Sequence, residues 1–179
     1  MEGPDAAGLT SPLVPDSETK GEVSEKRWQV REAGAADTAA VAAAIGELLV
    51  ELGGEGPGAT VLEEATRALA GDPQLGVLLL AEPEEGAAPV GVLAASWQYA
   101  IHVPGRYGTI QDLWVHPDWR SRSVGRGLLD AFFARARREG AKRVEVGLPR
   151  DDFANLPQTE AFYRANGFVN LGPRMRRVL

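Results

Sequence analysis

Residues 116–140 read HPDWRSRSVGRGLLDAFFARARREG. Three arginines, Arg120, Arg122 and Arg126, share a turn with Gly125 and Gly127, and the turn runs straight into an amphipathic pattern. Glycine lets a backbone approach a ligand with no Cβ in the way. A helix that starts near Val124 has unpaired N–H groups and the positive end of its dipole there. Together these make an anion site. Arginine adds charge in a fork that suits phosphate oxygens, and the hydroxyl of Ser123 adds a further donor. The turn therefore predicts a cradle for a phosphorylated ligand, with a pyrophosphate as the expected group. The strand before the turn would hold the rest of it. Neither G-x-x-x-x-G-K-[ST] nor G-x-G-x-x-G occurs here, so this is not a nucleotide-triphosphate loop or a dinucleotide fingerprint.

Stepping outward along the chain, the hydrophobic periods give the elements that position this turn. RWQVREA alternates and predicts a first strand. ADTAAVAAAIGELLVELGG predicts a helix, with Asp37 as its cap and Gly53 and Gly54 as its stop. TVLEEATRALAG predicts a second helix after a glycine-rich connection. LGVLLLAEP, VGVLAASWQYAIHV and GRYGTIQDLWVHP predict three strands, the last stopped by Pro117. A helix to about Glu139 follows the turn. KRVEVGLP is a strand, TEAFYRANG a short helix, and FVNL and RMRRVL a terminal pair of strands. The order is β-α-α-β-β-β-α-β-α-β-β, an α/β chain with a mixed sheet and helices on both faces. Residues 1–26, rich in Pro, Gly, Ser and acid, predict a disordered or loosely ordered tail. Residues 27–179 predict one domain.

The bulk numbers exclude several classes. The chain has 179 residues, 44% of them apolar and 25% charged, with a net charge of −6. An acidic balance argues against nucleic acid as a main partner. With no cysteine and two histidines, disulfides, a thiol nucleophile and thiolate metal sites are excluded, and no metal is expected. No apolar run is long enough to span a membrane and no signal-peptide pattern opens the chain, so a cytoplasmic location without membrane contact is expected.

The motifs resemble those of the GCN5-related N-acetyltransferases. RSVGRG at 122–127 fits their R-x-x-G-x-G acetyl-CoA signature, DLWVHP at 112–117 looks like the strand before it, and AFYRANGF at 161–168 looks like their later motif. The resemblance spans roughly residues 27–179 and includes the element order. It implies acetyl-CoA as cosubstrate and a direct transfer of the acetyl group to a primary amine. The backbone of Leu113 and Val115 would pair with the pantetheine arm. The Leu113 N–H would face the thioester carbonyl, and the N–H groups from Arg122 to Gly127 would hold the pyrophosphate. Tyr163 matches the general acid that protonates the departing thiolate. By position alone it reads more readily as a packed aromatic beside Phe162, and the flanking motif reverses that reading. Asn155 stands near an asparagine that touches the CoA arm in the family.

The chain departs from the family pattern in two places. Ser121 and Ser123 stand where glycine is common, so that a serine hydroxyl would bond a phosphate or a Cβ would crowd it. Gln111 stands where diamine-type members have a glutamate, and an amide cannot take a proton. Asp112 is then the candidate base, with a structural carboxylate as the plain alternative; strand alternation would turn it away from the substrate. Water is the remaining candidate. In the family the acceptor is walled by the first two helices and the long third strand. Here those parts supply Glu47 and Glu51, one turn apart, with Trp97 and Tyr99, two apart on one strand and so on one face. Acids beside aromatics suit a cationic small-molecule amine, although Trp97 and Tyr99 read equally well as core. His102 and His116 read as loop histidines. A protein or peptide N-acetyltransferase and a non-catalytic acyl-CoA-binding module are the other readings. Many members of the family are dimers, so a homodimer is the expectation by analogy.

Overall fold

The computed structural model describes residues 27–54, 56–84, 87–103, 105–172, 175 and 177. The expected tail at 1–26 lies outside them. The elements are β1 (Gln29–Glu32), α1 (Thr38–Glu51), α2 (Ala59–Gly71), β2 (Gly76–Glu82), β3 (Gly91–Ala100), β4 (Gly105–Val115), α3 (Val124–Arg138), β5 (Val144–Val146) and α4 (Leu156–Ala165). They form one five-stranded sheet in the order β1-β2-β3-β4-β5. The first three pairings are antiparallel and β4–β5 is parallel.

Side chains alternate across this sheet and make a core on each face. Leu79, Leu93, Ile110, Leu128, Leu129 and Phe132 pack on the α3 side, joined by Tyr163 and Phe162 of α4. Leu78, Leu80, Val92 and Trp114 pack on the other side against Val41, Ala44 and Ile45 of α1. The helical spacing of those three α1 residues is what buries one stripe of α1 and leaves the rest to solvent. Every residue of β2 is buried, as expected for a strand covered on both faces.

Two local expectations are corrected. Asp37 does not cap α1 through its side chain. Its carboxylate instead accepts from the Gly34 N–H at 2.7 Å and from both terminal nitrogens of Arg31 at 2.8 Å. Arg31 also donates to the fully buried Glu82 from Nε at 2.8 Å. The start of α1 is thus tied to β1 and β2 through one guanidinium shared by two carboxylates. The second correction concerns FVNL, residues 168–171, which carries no strand. Val169 and Leu171 are 75% and 69% exposed, with no strand beside them among the described residues to pair their backbone. RMRRVL lies mostly outside the described residues. The helix stop is as expected: Gly53 takes φ 73°, and the Gly54 N–H returns to the Leu49 carbonyl at 3.1 Å.

Candidate active site

The site grows from an irregularity in β4. Pairing with β3 slips between Ala94 and Ala95: Ala94 opposes Asp112, while Ala95 opposes Ile110. Gln111 is the extra residue of a β-bulge, and a bulge reverses the facing of everything beyond it. Ile110, Leu113 and Val115 accordingly share the α3-side core, although a separation of three would divide them in a regular strand. Trp114 falls on the α1 side. Asp112 takes the side of its cross-strand partner Ala94, which is also the α1 side. The simple alternation expected to turn Asp112 away is undone by the bulge.

The backbone groups follow the same reversal. The Gly108 N–H points to β5's side, bonding the Arg143 carbonyl, and the His116 N–H points to β3's side, bonding the Val90 carbonyl. Alternating back from His116, the N–H groups of Leu113 and Val115 point away from β3. The last β4–β5 pair is Ile110 with Val146. Beyond it no strand lies opposite Leu113 and Val115 among the described residues, and their donors face an open edge.

That edge leads into the turn. His116 accepts the Asp118 N–H on Nδ1 at 3.3 Å and starts a 3-10 turn, Pro117–Trp119. Ser121 and Ser123 follow with φ of 60° and 61°. An L-residue pays about 1–2 kcal/mol in that left-handed region, which explains why glycine is common there in the family. The first helical bond of α3 runs from the Gly127 N–H to the Ser123 carbonyl at 2.9 Å. The N–H groups of Val124, Gly125 and Arg126 precede it and have no carbonyl four residues back. The N–H of Gly127, expected among the ligand donors, is taken up by the helix. Arg122 lies over the Trp119 ring at 5.9 Å, and Arg126 lies 3.8 Å from Asp130.

The two glycines also have a reason in the packing of the protein itself. A Cβ on Gly127 would sit 2.2 Å from Trp28 Cη2, and one on Gly125 would sit 3.2 Å from Phe162 Cζ. Both make room for protein side chains that brace the first turn of α3. Arg120 donates from Nε to the Val115 carbonyl at 3.1 Å and from a terminal nitrogen to Glu51 at 2.6 Å. The last turn of α1 is therefore bound to this turn by an ion pair.

Tyr163 is 7% exposed, its ring set edge-on between Phe162 at 5.2 Å and Phe168 at 5.3 Å. Its hydroxyl has no hydrogen-bond partner among the described residues, and it is not sealed from the surface. Burial holds the phenol well above its usual range, and the charge of Asp112 raises it further. Burial also raises the Asp112 carboxyl. Asp112 thus lies near enough for its charge to act on the Tyr163 hydroxyl. Gln111 donates from Nε2 to Ser96 Oγ at 2.8 Å, and Gln98 donates to the same oxygen at 3.1 Å. Ser96 belongs to none of the motifs; its one signal in the sequence is a small polar residue ending an apolar run.

On the α1 side an open groove of about 560 Å³ is lined by Glu47, Glu51, Trp114 and Arg120, among others. Trp97 is not part of it. Its ring stacks on Phe132 at 5.8 Å on the α3 side, and its Nε1 donates to the Pro73 carbonyl at 3.2 Å. Tyr99 shares that side by register and is 76% exposed. Neither aromatic stands with Glu47 and Glu51, because the sheet lies between. Asn155 begins α4, its carbonyl accepting from the N–H and Oγ1 of Thr159 at 3.0 Å. Among the described residues no group of three His, Cys, Asp or Glu is placed to hold a metal, and no helix is long and apolar enough to cross a membrane.

Comparison with known proteins gives a consistent picture. The profile of the Acetyltransferase (GNAT) family matches residues 45–168. No curated protein matches the chain. Among solved structures, a protein from Arthrobacter sp. FB24 with a provisional acetyltransferase name is 27% identical, with TM-score 0.67 over 92% of this chain and 96% of that one. A predicted acetyltransferase from Clostridium acetobutylicum, solved with acetyl-CoA, has TM-score 0.69 at 16% identity over 85% and 96%. The aminoglycoside 6′-N-acetyltransferase AAC(6′)-Ih from Acinetobacter baumannii has TM-score 0.68 at 15% identity over 86% and 98%. The last two likenesses concern the fold.

Proposed function

Because the chain belongs to the acetyltransferase (GNAT) family, we propose that it transfers an acetyl group from acetyl-CoA directly to a primary amine of a small molecule. One observation carries this reading. The unpaired N–H groups of Leu113 and Val115 on the open edge of β4 continue, through the turn, into the unpaired N–H groups at the start of α3. A single row of backbone donors then suits a ligand with an amide-rich arm at one end and a diphosphate at the other. The residues present fit acetyl-CoA on that ground, and a predicted acetyltransferase of similar fold, solved with acetyl-CoA, supports the choice.

The roles follow from position. Leu113 and Val115 hold the pantetheine arm as an added strand. The Leu113 N–H also faces the thioester carbonyl and stabilises the oxyanion as the amine nitrogen attacks, a contribution of about 3 kcal/mol for a well-placed donor. The N–H groups of Arg122 through Arg126 hold the diphosphate, with the arginines adding charge. Tyr163, kept protonated by burial and by Asp112, gives its hydroxyl proton to the sulfur as the carbon–sulfur bond breaks. Asp112, on the acceptor side, takes the proton that the amine sheds, its affinity for a proton raised by burial. Gln111, fixed by Ser96, orients the incoming nitrogen without taking its proton. Glu47 in the groove favours a cationic acceptor. Asn155, just ahead of α4, is a further candidate contact to the arm.

The experiment is a panel of amines scored by CoA thiol release, run on the native chain and on Tyr163→Phe. Turnover should fall about 100-fold or more in the variant, with CoA affinity within about twofold. Tight CoA binding with no thiol release from any amine would replace the enzyme reading with that of a binding module.

A further inference from the structure

We propose that Trp28 is a positioning residue for the diphosphate turn, holding it in its ligand-ready shape before the ligand arrives. This rests on the reading above that the turn receives the diphosphate of CoA. Trp28 lies ahead of β1 and is distant in sequence from the turn. Its Nε1 nevertheless donates to the Arg122 carbonyl at 3.2 Å. Arg122 is the residue between the two left-handed serines, Ser121 and Ser123. The indole also lies against Gly127, so closely that a Cβ there would come within 2.2 Å of Cη2 and 2.5 Å of Cζ3. One ring therefore grips the strained segment at its middle and the first turn of α3 from the side.

The physical need is clear. Two serines in the left-handed region cost more than the same turn built of glycine, and an unanchored turn would relax. Relaxation would displace the N–H groups of Ser123 and Val124, and ligand binding would then have to restore them. A hydrogen bond to the Arg122 carbonyl offsets that cost in the free protein, so the ligand meets donors already aligned. The second glycine of the R-x-x-G-x-G signature acquires a role in this chain that has nothing to do with the ligand: it is the seat of the indole.

The test uses the full chain and isothermal calorimetry with CoA and with pantetheine, which lacks the diphosphate. Trp28→Phe keeps a ring over Gly127 and removes the donor. CoA affinity should weaken about threefold to tenfold, the worth of one hydrogen bond, while pantetheine affinity stays level. Equal weakening of both ligands would show a role in the fold at large and overturn the proposal, as would unaltered CoA affinity. If the phenylalanine variant does not fold, β-(3-benzothienyl)alanine at position 28 keeps the shape of the indole without its N–H and is read in the same way. Failure of the native chain to bind CoA at all would sink the diphosphate reading, and this inference with it.

Discussion

Tyr163 and Asp112 form a pair whose chemistry depends on each being unlike its free counterpart. Burial raises both, and in the proposed reaction this keeps the phenol protonated as a donor and makes the carboxylate a better proton acceptor. The carboxylate must be ionised to act. Activity should therefore fall as pH drops through the Asp112 pKa, and that point should lie above the ordinary carboxylate range, in the direction burial moves it. Asp112→Asn should lower kcat/KM about 100-fold and abolish this acidic limb. The measurement is kcat/KM against pH for the native chain and the variant. An acidic limb that persists in Asp112→Asn would pass the base role to water. Gln111 shows how a bulge overrides simple strand alternation. A glutamate there would have been the obvious base; with an amide in its place, the bulge it forms brings the next carboxylate to the α1 side, where the acceptor is proposed to bind.

At the level of elements, the turn between β4 and α3 holds its shape at a cost. Replacing Ser123 by glycine relieves about 1–2 kcal/mol of left-handed strain and returns about 0.4–1 kcal/mol through a freer unfolded chain. Ser123→Gly should thus be more stable by about 0.5–1 kcal/mol, raising Tm by about 1–4 °C in calorimetry; a lower Tm would mean that the serine makes a compensating contact. This element was largely legible in the sequence, because arginines, glycines and a helix start stand next to one another along the chain. Its support was not legible. Trp28 and Phe162 reach Gly127 and Gly125 from remote segments, and no local pattern announces such a meeting. Trp97 and Tyr99 show the converse limit. Period two placed them correctly on one face, but could not say which face carries α1. The start of α1 gives a second prediction at this scale. Arg31, by its side-chain hydrogen bonds, holds the Asp37 carboxyl below its ordinary 3.8. A depressed carboxylate contributes stability above its unfolded pKa and loses it as pH falls through the folded value. Asp37→Asn should therefore have the lower Tm at pH 7, and the gap to the native chain should close below about pH 4. A gap that stays constant down to pH 2 would show that the Arg31 contact carries no net stability.

Across the whole molecule, the proposed ligand row lies where the two cores meet. Leu113 and Val115 pack on the α3 side, the alternating Trp114 packs on the α1 side, and α3 itself rests on both Phe162 and Trp28. Arg120 adds a tie from the turn to Glu51 at the end of α1. A ligand seated along that row would contact β4, the turn and α3 at once, and none of this arrangement exists in the unfolded chain. Its binding energy should then appear almost entirely as stability. With CoA at 100 times its Kd the gain is about 2.7 kcal/mol, which for a chain of this size raises Tm by about 5–10 °C. Pantetheine at the same multiple of its own Kd should give the same rise, since linkage depends on saturation alone; at equal concentration CoA should give the larger rise, because only CoA engages the start of α3. Thermal melts with each ligand over a concentration series separate the two halves of the row. Equal rises at equal concentration would mean that the turn adds nothing to binding, and the diphosphate would have to be placed elsewhere.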